Sequence, residues 1–94
     1  MKGLFTLVID FDGGTYITQS EADCVDDAPL NCIKNWNITS ISNVLTEQDI
    51  SSLLAQLKEE EFVPITGMQN VWCGCVSLHE HNLILNLVRT ENVI

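Results

Sequence analysis

NVWCGCVSLHEHNLILNLVRT, residues 70–90, decides the fold, because it holds the most regular apolar alternation in the chain. Side chains alternate across a strand, so Trp72, Val76 and Leu78 share one face while Cys73, Cys75, Ser77 and His79 share the other. His81-Asn82 then reads as a two-residue turn. That turn predicts Leu78 opposite Leu85 and Val76 opposite Leu87, which gathers apolar partners on one side of a hairpin.

A hairpin with one apolar face needs a cover, and residues 46–57 supply it. Thr46 is a helix cap with Asp49 three positions on, a capping box with Asp in place of the usual Glu. Ile50, Leu53, Leu54 and Leu57 follow as a stripe at i, i+3, i+4 and i+7. Each such aliphatic is worth roughly 1.5 to 3 kcal/mol when buried, enough together to dock the helix on a sheet. An earlier, shorter helix is expected from Asp26-Asp27-Ala28-Pro29, where an acidic cap precedes a proline in the first turn. Leu30, Ile33 and Trp36 or Asn37 continue it at helical spacing to an end near Trp36, with Cys32 four residues before Trp36. Residues 37–45 read as a loop or a short strand.

The N-terminal part contributes a second hairpin. Residues 4–11 carry Phe5, Leu7, Ile9 and Phe11 on one face of a strand, and Asp12-Gly13-Gly14 is a strong turn signal. Residues 15–22 return, and the loop length decides whether Tyr16 or Ile17 joins the Phe5 face. Residues 62–66 read as a short strand that Pro64 places at a sheet edge or makes a loop, and Gly67 turns the chain onward. The order ββααβββ predicts an α+β fold: one domain over residues 1–94, an antiparallel sheet of four to five strands, and two helices on one face.

Thirteen acidic residues oppose four basic ones (Lys2, Lys34, Lys58 and Arg89), a formal net charge of −9. Such a balance argues against binding nucleic acid through its phosphates and points to basic partners. The apolar run at residues 4–9 is broken by Asp10, shorter than an export-signal core and without a small-residue cleavage site. No stretch approaches the ~18 to 20 apolar residues of a membrane span. The expectation is a cytoplasmic protein with no membrane partner, in which Cys24, Cys32, Cys73 and Cys75 are free thiols and not two disulfides.

Cys73, Cys75, His79 and His81 are candidate metal ligands, and on a straight strand the outer two lie roughly 27 Å apart, too far for one ion. Cys75 and His79, about 13 Å apart on the same face, are likewise too distant for a nucleophile and its base unless Gly74 allows a bulge. No phosphate loop, Cys-x-x-Cys or Gly-x-Ser-x-Gly motif occurs. We therefore expect no cofactor and no enzyme activity. The composition suits a small acidic binding protein, of the immunity or antitoxin kind, that covers a basic protein partner. Its candidate contacts are Asp23, Asp26, Asp27, Glu59, Glu60 and Glu61, with Trp36 as an aromatic anchor. The alternative is a homo-oligomer that buries the hairpin face carrying Cys75, Ile84 and Val88.

Overall fold

The computed structural model describes residues 2–38 and 45–92. Most of the loop or strand expected over residues 37–45 therefore lies outside the described residues.

Strands β1 (Gly3–Phe11) and β2 (Gly14–Ala22) form the first hairpin. Asp12 and Gly13 both take positive φ, 49° and 82°, the requirement of a two-residue loop whose twist matches its strands. Phe11 thus stands opposite Gly14 and Ile9 opposite Tyr16, so Tyr16 joins the apolar face and Ile17 is left on the other.

Strands β4 (Val71–Leu78) and β5 (His81–Asn92) form the second hairpin, with the expected faces but a different turn. The loop is His79-Glu80, at φ 52° and 65°, not His81-Asn82. Leu78 pairs with His81, Val76 with Leu83 and Gly74 with Leu85. Relative to the expected register every partner moves by four residues, an even number that keeps each side chain on its face. Glu is a poor advertisement for positive φ, whereas His81-Asn82 joins two residues that tolerate it, which is why the sequence points to the wrong pair.

The sheet order is β2-β1-β5-β4-β3, antiparallel throughout, with β3 (Val63–Pro64) at one edge and shorter than the expected 62–66. The first and last strands of the chain pair at its centre, Leu7 opposite Leu87 and Ile9 opposite Leu85. One face of this sheet, with Phe5, Leu7, Ile9, Val76, Leu78, Leu83, Leu85 and Leu87, is buried.

Helices α1 (Ala28–Lys34) and α2 (Glu47–Leu57) cover that face. The capping box opens α2 as expected, Asp49 N donating to Thr46 Oγ1 at 3.2 Å and Thr46 N to Asp49 Oδ2 at 2.9 Å. Its buried stripe is narrower than expected: Leu53 and Leu57 are buried, Ile50 and Leu54 half-buried. Asp27 holds the cap position of α1 but makes no side-chain cap bond, because its backbone is already helical. Its Oδ2 instead accepts from Cys24 Sγ at 3.4 Å. Thr18 Oγ1 donates to Cys32 O at 3.1 Å and Asn35 Nδ2 to Ser20 Oγ at 2.7 Å, which ties α1 along β2. Among the described residues no helix is long and apolar enough to cross a membrane, a statement about helices alone.

Candidate partner-binding site

The two acidic runs are more than thirty residues apart in sequence, yet the helices bring them to one place. Residues 23–27 lead into α1 and residues 59–61 leave α2, and α1 packs beside α2. Between them lies a groove of about 350 Å³ to which Asp26, Asp27 and Glu60 contribute carboxylates and Lys58 an ammonium. Its floor is apolar, from Val25, Leu30, Leu57 and Phe62.

Phe62 reaches that floor because position 74 is glycine. A Cβ on Gly74 would lie 2.8 Å from the tip of the ring, so the missing side chain leaves the space that Phe62 occupies against the sheet. Gly74 was expected to matter, if at all, by permitting a bulge; β4 runs in unbroken register with β5 instead. Asp26 and Asp27 are exposed and Glu60 half-buried, so these carboxylates face solvent beside the apolar surface.

The other candidates are dispersed. Glu59 lines a neighbouring depression, with Glu60, Cys75 and Ser77, while Asp23 and Glu61 are exposed and line neither. Trp36 is not beside the acids. It lies past the opposite end of α1, packed on Tyr16 with ring centroids 5.8 Å apart, and is half-buried against the core. The groove floor escaped the sequence reading, although Val25 directly precedes one acidic run and Phe62 directly follows the other.

Cys73, Cys75, His79 and His81 have separate surroundings. The turn at His79-Glu80 folds His81 back beside Leu78, so the straight-strand separation from Cys73 does not apply; about 17 Å of strand still divides them. His81 stands edge-on to Phe11 at 6.1 Å. His79 Nε2 pairs with Asp49 Oδ1 at 3.0 Å. Among the described residues no three His, Cys, Asp or Glu side chains come together as a metal site. The four cysteines are free thiols. Burial pushes the Cys32 thiol up to about 11, so it remains protonated, whereas Cys24 and Cys75 are exposed.

Among the described residues Asp49 is the buried acid. Its pKa is lowered first by the hydrogen bond from the Thr46 backbone N–H, which outweighs the opposing effect of burial, and further by His79. An Asp-His pair is half of a catalytic arrangement, but this one is occupied in starting α2 and fixing it to the β4–β5 turn.

Compared with known proteins, the chain matches no family model, no curated protein and no solved structure.

Proposed function

We propose that the chain is a small acidic, non-catalytic binding protein that covers a basic surface of a partner protein, in the manner of an immunity or antitoxin protein. The observation that carries this reading is the convergence of Asp26 and Asp27 with Glu60 on one apolar-floored groove. An arginine suits such a groove, since its stem can lie on Leu30 and Phe62 while its guanidinium meets carboxylates bidentately. The surplus of acids over cations adds long-range attraction that speeds encounter with a basic surface.

Two charge-reversal variants test it, Asp23→Lys/Asp26→Lys/Asp27→Lys and Glu59→Lys/Glu60→Lys/Glu61→Lys. Each should slow association with a partner recovered from the source cells by about tenfold or more and flatten its salt dependence, with circular dichroism unchanged. Because Asp26, Asp27 and Glu60 share one groove, the combined variant should lose less than the sum of the two. Unchanged affinity and salt dependence in both variants would leave the acidity as a matter of solubility.

A second reading, a homo-oligomer closed through the uncovered sheet face, is favoured by Ile84, which is 41% exposed there with Cys75 opposite it. Sedimentation equilibrium over a wide concentration range tests it, and a monomer throughout would remove it.

A further inference from the structure

A sheet ends in two strands whose outward N–H and C=O groups lack a ladder, and proteins close such edges or use them. This chain treats its two edges differently. In β4 the residues facing away from β5 are Val71, Cys73, Cys75 and Ser77, by the alternation of an antiparallel ladder that starts at the Leu78–His81 pair. Each has a cover on at least one of its two groups. Val71 O accepts from Ile65 N at 3.1 Å, Cys73 pairs with Val63 of β3, Cys75 N donates to Glu60 Oε1 at 3.5 Å, and Ser77 is clamped on both sides by the Gln56 amide. Gln56 Nε2 donates to Ser77 O at 2.6 Å and Ser77 N to Gln56 Oε1 at 2.9 Å, so a side chain imitates a strand. Pro64 blunts β3 itself.

Among the described residues the β2 edge is left open. Its ladder starts at the Phe11–Gly14 pair, so Gly14, Tyr16, Thr18 and Ser20 bond to β1 while Thr15, Ile17, Gln19 and Glu21 turn their backbone outward. Asn31 Nδ2 covers Glu21 O at 3.1 Å. Among the described residues nothing covers the backbone of Thr15, Ile17 or Gln19. No Pro, Lys, Arg or bulge interrupts the strand, and Ile17 is 64% exposed. The neutral run is bracketed by acids, Asp10 opposite Thr15 and Asp12 in the turn at one end, Glu21 and Asp23 at the other. A second copy of the chain pairing there about Ile17 would set Glu21 beside the other copy's turn acid, like charge against like. A basic strand meets opposite charge at both ends.

We propose that β2 is a docking edge for an extended basic segment, which adds antiparallel to Thr15, Ile17 and Gln19 as a sixth strand. It would carry a β-branched apolar residue beside Ile17 and Lys or Arg six positions apart, about 20 Å, opposite Thr15 and Glu21. The inference shares the basic partner with the reading above but none of its groove residues, so either can fail alone.

The probe is the peptide Lys-Thr-Val-Thr-Val-Thr-Lys, whose palindrome presents the same pattern in either strand direction, titrated into the whole chain and followed by NMR. The amides of Thr15, Ile17 and Gln19 should shift, and at about nine-tenths saturation their exchange with water should slow about tenfold. The peptide N-methylated at both valines, and the peptide with Glu at both ends, should not bind. Ile17→Pro removes an outward N–H without touching a β1 bond and should abolish the response; the N-methylated peptide keeps the test decisive if that variant misfolds. Three results would overturn the inference: no binding, shifts confined to Asp26, Asp27 and Glu60, or edge protection that appears with protein concentration and no peptide. The second leaves the groove reading intact, and the third gives the edge to a second copy.

Discussion

Asp49 shows how one side chain can decide a junction. It is 8% exposed, accepts from the Thr46 backbone, and holds His79 at the β4–β5 turn. Its folded pKa lies below the ordinary 3.8, so it favours the folded state at any pH above that value. This contribution is lost as pH falls through the lowered folded value. Asp49→Asn should therefore be less stable than the parent at neutral pH, with the gap closing below about pH 3.8, as chemical denaturation at several pH values would measure. A constant gap across that range would mean the charge is irrelevant. The capping role was legible from Thr46-Glu47-Gln48-Asp49, but the His79 partner was not, because thirty residues separate the two and the turn that aims His79 was misplaced.

Helix α2 is held to the sheet through a narrow contact. Leu53 is 1% exposed, whereas its neighbour Leu54 is half-buried, although periodicity gives them equal standing. Leu53→Ala should cost about 2 to 5 kcal/mol in urea unfolding, and Leu54→Ala about half as much. Equal losses would place α2 rotated from the orientation described. A stripe of i, i+3, i+4 and i+7 spans an arc of the helix, and only the docking angle selects the residues at its centre. Of the acids after Leu57, Glu60 follows from the same geometry: it sits where the chain leaving α2 meets the groove.

The whole molecule carries its charge inside a small radius. Thirteen acids and four cations occupy a body with a radius of gyration of 12.7 Å. At about 0.01 M ionic strength the Debye length is ~30 Å, so the carboxylates repel one another across the molecule; at about 1 M it is ~3 Å and they do not. The melting temperature should rise as sodium chloride is added over that range. A flat or falling curve would mean that attractive pairs offset the repulsion, and would weaken the case that a basic partner relieves it.

The sequence by itself determined what depends on neighbours along the chain. Alternation in residues 4–11 and 70–78, a turn within Asp12-Gly13-Gly14 and the capping box at Thr46 gave the elements, their order and the buried faces of β1 and β4. Tertiary structure alone decided what depends on distant partners. It set β1 beside β5, chose His79-Glu80 as the turn, parted Trp36 from the acids and joined residues 26–27 to Glu60. The reason is the range of the forces involved. Backbone sterics and side-chain period act over a few residues and leave a local signature, whereas strand order and helix docking are set by which apolar faces close together with least space between them.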